Sequence, residues 1–284
     1  TDANGDPDPG MVALMNQEFG IVNADEVIEH MASDAKDTSD HDLIVLDASN
    51  PGASIGVGLP IVNVIGDVGT TLNGMDQNPQ TGALFVTNLQ ALNTIRMGEN
   101  LNGHFLDHMI EIVDDYMLAS PSIIDSDLHS GIDNFHDVSA PNPSAKAKSL
   151  AHPNAIAFHD SGEWAAVASL GMDRIGILNG LTGRVLGRLD VPSGPRGLSI
   201  DSANDRIYVL SRHAMTVTAV DVTTFDAPQV VDSRELFNPE PRQIRDGRKF
   251  HYSTKFSNNG AHSCDSCHPN TDFDRLAWDL GAFG

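Results

Sequence analysis

The sequence predicts a mainly β chain: a partial or irregular β-propeller over residues 40–240, preceded by an N-terminal acidic loop and short helix (1–39) and followed by a loop-and-helix segment (241–284). Three observations predict it. Short apolar runs with acidic or turn-forming ends read as strands. An internal repeat recurs at an offset of 42 residues, and a period of this size with about four short strands is that of a propeller blade. Both cysteines of the chain fall in one stretch after the repeat ends, Cys264-Asp265-Ser266-Cys267-His268.

The elements follow in order. Asp2, Asn4, Asp6 and Asp8 alternate as oxygen ligands do in calcium loops. The bidentate Glu that closes such a loop is missing, so bound Ca2+ and a plain acidic tail both stand. Asn23 as N-cap with Glu26 three residues on begins a short helix. Strands are expected at 42–47 (DLIVLD), at 83–88 (ALFVTN) after the turn 78–82 (NPQTG), and at 109–114 (MIEIVD). The repeat then sets 153–158 against 195–200, 165–169 against 207–211, and 173–179 against 215–221. A fourth strand such as 185–191 completes each unit. Segments 42–47 and 76–88 read as diverged copies, their spacing broken by a long insertion at about 89–151 rich in Asn, Asp, Ser, Pro and His. About four blades are recognisable, against roughly four to eight in a closed ring. The chain therefore reads as part of a larger ring, and its stop at Gly284 as that of a fragment.

Composition narrows the classes. The chain has 284 residues and a net charge of −22, with 31 Asp against 8 Glu and only 5 Lys. Asp favours turns where Glu favours helix interiors, so this balance suits many tight turns and an acidic, solvated surface, or a saline or calcium-containing medium. Its sign disfavours nucleic acid and anionic lipid as partners. No run of 18 apolar residues provides a transmembrane segment. The chain begins at Thr1, which fits a leader already removed. There is no G-x-S-x-G, no H-E-x-x-H and no nucleotide-binding glycine pattern.

The stretch 264–268 is C-x-x-C-H, the attachment pattern of a c-type haem. Two thiols with two residues between them reach one edge of the porphyrin, and the following histidine ligates the iron from one face. The reading is one covalent haem c on Cys264 and Cys267, with His268 as proximal iron ligand. A zinc site, a redox dithiol and a plain disulfide are the competing readings; a second paired cluster for zinc is lacking. Covalent haem attachment takes place outside the bacterial cytoplasm, so a periplasmic, extracellular or cell-surface location is expected.

The remaining candidates surround this motif. For the distal iron ligand they are Met172 and Met215, read as equivalent positions before the third strand of two blades, and His251 and His213. Each also reads as an ordinary packing or surface residue. Arg242, Arg245, Arg248 and Lys249 form the only basic cluster, either pairing with haem propionates or bridging to the acidic blades. Trp278 and Phe273 would pack on the porphyrin edge or begin another core. His104 and His108, spaced i, i+4 with Asp107 between and Asp125 or Asp127 later, share a face if that stretch is helical. A second metal site and solvated loop histidines are the two readings there, with His129, His136, His152 and His159 scattered nearby.

Two stretches resemble known families. Residues 206–211 (RIYVLS) followed by 216–222 (TVTAVDV) resemble YVTN-type (YncE-like) bacterial β-propeller repeats. Residues 247–250 (GRKF), 256–260 (FSNNG), 263–269 (SCDSCHP) and 278–281 (WDLG) resemble the start of a cytochrome c peroxidase/MauG-like haem domain. The resemblance spans roughly residues 40–284 and implies Cys264 and Cys267 as thioether positions and His268 as proximal ligand. Such a domain carries a second C-x-x-C-H, which this sequence lacks. The expected function is electron transfer by a secreted or surface c-type cytochrome, its one haem held by a propeller and serving a redox partner protein or another haem subunit. The alternatives are part of a di-haem peroxidase or MauG-like oxidoreductase, and a propeller binding module in a multi-subunit assembly.

Overall fold

The computed structural model describes residues 42–49, 59–91, 104, 106–137 and 140–271. The calcium candidates Asp2, Asn4, Asp6 and Asp8, the helix expected from Asn23, and Phe273 and Trp278 lie outside these residues. An antiparallel pair, β1 (Leu43–Leu46) and β2 (Ile61–Ile65), comes first. Three four-stranded antiparallel meanders follow in chain order. Blade 1 is β3 (Thr71–Gln77), β4 (Leu84–Ala91), β5 (Leu106–Asp114) and β6 (Ser122–Asp127). Blade 2 is β7 (Pro153–Phe158), β8 (Trp164–Ser169), β9 (Arg174–Asn179) and β10 (Val185–Asp190). Blade 3 is β11 (Pro195–Asp201), β12 (Arg206–Ser211), β13 (Thr216–Asp221) and β14 (Gln229–Glu235). The first strands β3, β7 and β11 lie side by side, so the blades stack face to face as a partial propeller.

Strand periodicity explains the stacking. Side chains alternate between the two faces of a strand, and in blade 2 both faces are apolar. Ala165 and Val167 of β8 and Leu178 of β9 pack on Phe85, Ile110 and Ile112 of blade 1. Trp164 and Ala166 of β8 with Ile175 and Ile177 of β9 pack on Ile207, Val209 and Val220 of blade 3. Every residue of β8 is buried. In β12 burial alternates instead, with Ile207, Val209 and Ser211 inside and Tyr208 and Leu210 partly exposed, because among the described residues one face of blade 3 meets another blade and the other does not. On the far side of blade 1, β1 and β2 cover Val86 and Val113 with Leu43, Val45 and Ile65.

The offset of 42 holds for the first three strands of blades 2 and 3, whose starts are Pro153 and Pro195, Trp164 and Arg206, and Arg174 and Thr216. The stretch 89–151 is not all insertion: β5 and β6 lie within it and complete blade 1. The connection from β6 to β7 carries a short helix, α1 (Pro143–Lys146), whose N-cap Asn142 accepts from the Ala145 amide at 3.0 Å. After blade 3 comes α2 (Arg242–Tyr252), then three 3-10 turns, Thr254–Phe256, Cys264–Ser266 and Pro269–Thr271. No helix among the described residues is long and apolar enough to cross a membrane.

The packing sets a contrast to measure by urea unfolding. Ile177, fully buried between blades 2 and 3, should cost about 2–5 kcal/mol when changed to Ala. Leu210, on the outer face of blade 3 and 37% exposed, should cost less than about 1 kcal/mol when changed likewise.

Candidate functional site

The meander fixes which loops share an end of the propeller. The end of β4 with the start of β5, and the β8–β9 and β12–β13 connections, lie at one end, together with the segments that lead into β7 and β11. The residues after blade 3 return to this end and dock on it. The Thr254 amide donates to Gly171 O in the β8–β9 turn at 2.9 Å. Lys255 Nζ pairs with Asp173 at 2.7 Å in the same turn. A Cβ on Gly171 would lie 2.6 Å from Thr254 Cγ2 and 3.1 Å from Ala151 O, so only a glycine lets the segment approach this closely. Further along, Ser149 Oγ donates to Gly260 O at 2.8 Å, and Asn259 Nδ2 donates to Phe135 O. The loop 258–263, polar in sequence, is partly an interior surface: Asn259 is 1% exposed.

The C-x-x-C-H stretch sits on this platform. Cys264–Ser266 form one 3-10 turn, and the amides of Cys267 and His268 both donate to Cys264 O, at 3.2 and 2.9 Å. Cys264 and His268 are exposed and Cys267 is half-buried. The two intervening residues face the other way: Asp265 and Ser266 are each 1% exposed. Ser266 Oγ accepts from the Ser263 amide at 3.1 Å. Asp265 Oδ1 accepts from the Asn270 amide at 2.8 Å, and Oδ2 lies 3.1 Å from His152 Nε2 at the start of blade 2. The turn therefore presents the thiol of Cys264 and the imidazole of His268 outward and anchors the peptide between them inward. This donor set and its exposure fit a group attached at the two cysteines and ligated by the next histidine.

Two buried imidazoles set the electrostatics beneath the turn. His108 of β5 is fully buried; its Nε2 lies 2.6 Å from Ala261 O, and its Nδ1 accepts from the His152 amide at 3.1 Å. A carbonyl on one side and an N–H on the other require the neutral tautomer with the proton on Nε2. Burial lowers His108 to about 4 and His152 to about 3. Burial also raises the Asp265 carboxyl, against the Asn270 hydrogen bond and His251, which lower it.

The other sequence candidates divide. His251 on α2 touches the motif, with Nε2 3.2 Å from His268 O and 3.4 Å from Asp265 Oδ1. His213 is buried in the β12–β13 turn against Tyr252, ring centroids 4.7 Å apart, and burial lowers it to about 4. Met172 is buried in the β8–β9 turn beneath Gly260. Met215 accepts a contact from Arg212 Nη1 on its sulfur at 2.8 Å. These two methionines are not equivalent: the offset of 42 pairs Asp173 with Met215, both left-handed with φ of 55° and 53°, and pairs Met172 with Ala214. Arg248 forms a bidentate pair with Glu240, and Arg242 and Arg245 reach Asp246. Arg245 and Lys249 also line a cleft of about 580 Å³ with His213 and Phe237.

His104 and His108 do not share a helical face. They flank the start of strand β5, and His108 turns inward while His104 stays half-exposed beside Asp107. Sequence reasoning missed the contacts of His108, His152 and Ser149 with the C-terminal segment. A usable signal existed: among the described residues every histidine except His159 lies at this end of the propeller, and His159 stacks on Trp164 near the β7–β8 turn.

No protein-family model matches the chain, and no curated protein does. Solved structures resemble it distantly, as β-propellers. Hydrazine synthase of Kuenenia stuttgartiensis is 16% identical with a TM-score of 0.44, over 60% of this chain and 49% of that one. The periplasmic gluconolactonase PpgL of Pseudomonas aeruginosa is 13% identical with a TM-score of 0.42, over 65% and 47%. The WD40 repeats of RRP9 are 14% identical with a TM-score of 0.38, over 58% and 39%. The chain spans about half the length of the first two. The haem-domain half of the sequence resemblance rests on the sequence alone.

The buried imidazoles give a pH prediction. Their folded values of about 4 and about 3 lie below the 6.5 of a free histidine. The unfolded chain therefore binds more protons in that window, and stability is lost as pH falls below 6.5. At 1.36 kcal/mol per unit, each removes about 2 kcal/mol by pH 5. The Tm followed by circular dichroism should drop between about pH 7.5 and pH 5, and His108→Gln with His152→Gln should make the slope shallower. A flat Tm in the parent chain contradicts this assignment.

Proposed function

We propose that the chain is a c-type cytochrome that exchanges electrons through one covalently attached haem, mounted on the end of a propeller scaffold. The observation that carries this reading is the C-x-x-C-H turn with its reactive groups outward and its intervening residues buried. Cys264 and Cys267 would hold the porphyrin by thioether bonds, and His268 would ligate the iron. The haem supplies a one-electron ferrous–ferric couple when bound. Asp265 and Ser266 hold the turn against the propeller through His152, Asn270 and Ser263. His251, against the carbonyl of His268, restrains the backbone that carries the ligand.

The attachment chemistry assigns the protein to a periplasmic, extracellular or cell-surface compartment. The exposed position of Cys264 and His268 suits exchange with a second redox protein or haem subunit at short range.

The test is expression in a host that attaches c-type haem. A denaturing gel stained for haem peroxidase activity should show a band at the chain's mass, and Cys264→Ala with Cys267→Ala should abolish it while the folded propeller remains by circular dichroism. A sixth ligand completing the iron's coordination should make the visible spectrum low-spin and unchanged by added peroxide. A parent chain without covalent haem overturns the reading, and peroxide-driven oxidation of a donor moves it to the peroxidase class.

A further inference from the structure

Beyond the haem motif, a second set of metal-binding side chains converges at the same end of blade 1. His104 precedes β5, Asp107 lies in β5, and His136 lies in the connection that follows β6. One ligand atom from each lies within 4.8 Å of the others. His104 Nε2 is 2.6 Å from Asp107 Oδ1, and His136 Nδ1 is 3.6 Å from the same oxygen. The two imidazoles stack, centroids 3.7 Å apart and planes 30° from parallel.

Hydrogen bonding alone leaves this arrangement incomplete. Asp107 Oδ1 takes its hydrogen bond from His104, and His136 Nδ1 is shielded from water without a hydrogen-bond partner. A shielded ring nitrogen with no partner is costly, and stacked imidazoles repel once both are protonated. A cation between the three atoms resolves both problems, since each would then donate a lone pair to it. The spacing is close to what this needs: ligand atoms about 2.0–2.1 Å from a tetrahedral ion sit roughly 3.3–3.4 Å apart. The 3.6 Å separation closes slightly, and the 2.6 Å one opens by a side-chain rotation.

The surroundings match a metal site as well. The other nitrogen of His136 faces Asp127 Oδ2 at 3.9 Å, and Asp127 is itself held by the His129 amide at 2.8 Å. A carboxylate behind a ligating imidazole fixes its tautomer once the two are hydrogen-bonded, and a small ring rotation of His136 closes this 3.9 Å ion-pair contact to that range. Phe135 stacks on His129 at 3.6 Å and meets His136 edge-on at 5.1 Å, a wall for the loop that carries His136. The ligands are 24% (His104 and Asp107) and 33% (His136) exposed, so an ion has access from solvent.

We propose that His104, Asp107 and His136 bind one borderline divalent transition-metal ion of the zinc class, with the remaining coordination positions open to solvent. Two imidazoles and one carboxylate select such an ion over Ca2+ or Mg2+, which take oxygen. The ion ties His104 and the start of β5 to His136 in the loop after β6. The site is separate from the C-x-x-C-H turn and does not depend on haem.

The test uses the full chain carrying Cys264→Ser and Cys267→Ser, which removes thiolates that would themselves take zinc. After chelator treatment and equilibrium dialysis against Zn2+, this chain should hold one zinc, with X-ray absorption showing nitrogen and oxygen ligands including two imidazoles. Zinc should raise its Tm. His136→Ala and Asp107→Asn should each weaken binding at least tenfold and remove the Tm rise, with a metal-free Tm near that of the parent. The proposal is overturned if the parent chain binds no zinc, or if these variants bind it as the parent does. A variant that fails to fold is replaced by His104→Ala, and the absorption spectrum of the parent decides independently.

Discussion

The His108 imidazole is the joint on which the functional end of this molecule depends. It belongs to blade 1, accepts from the amide that leads into blade 2, and lies 2.6 Å from a carbonyl of the C-terminal segment three residues before Cys264. Three parts of the chain, far apart in sequence, meet at one ring that has two hydrogen-bonding atoms and uses both. The ring must be neutral to do so, because a proton on Nδ1 would displace the His152 amide. Burial secures that state. The consequence is positional: the backbone ahead of the C-x-x-C-H turn is referenced to the blades and not to its own short turns.

The blades make that reference rigid. Blade 2 is apolar on both faces and lies between two others, and its β8–β9 turn carries Gly171 and Asp173, which receive Thr254 and Lys255. The C-x-x-C-H turn presents Cys264 and His268 on an open face, and the propeller supplies the order that a turn of a few residues cannot hold by itself. Asp265 is where the two meet. It lies between the cysteines, is buried, and faces a histidine of blade 2.

Much of the scaffold was legible in the sequence because its signals are local or periodic. The repeat from 153 to 221 aligned strand with strand, and the inner three strands of blades 2 and 3 fell where the alternation placed them. The outer strands were harder. β6 (Ser122–Asp127) and β14 (Gln229–Glu235) pair on one side only and bury little, so their sequences stay polar and resemble loops. Cys264, Cys267 and His268 stand out in the sequence because the C-x-x-C-H spacing is short and fixed, and the structure places them at one 3-10 turn. The pairs that hold them were not: His108 with Ala261 and Ser149 with Gly260 are separated by 153 and 111 positions, and no local pattern joins them. His104 and His108 misled for a related reason. The i, i+4 spacing suits a helix, but His104 precedes strand β5, and within the strand the neighbours Asp107 and His108 point to opposite faces.

The most direct measurement of the central claim, that the C-terminal segment is built into the propeller, is amide hydrogen exchange followed by mass spectrometry on the intact chain. Peptides covering 253–268 should exchange as slowly as those covering 153–190, because Thr254 donates to Gly171 and the amides of Cys267 and His268 are held within a docked turn. Exchange of 253–268 within seconds while 153–190 stays protected would show a segment merely tethered to the blades, and would contradict the account.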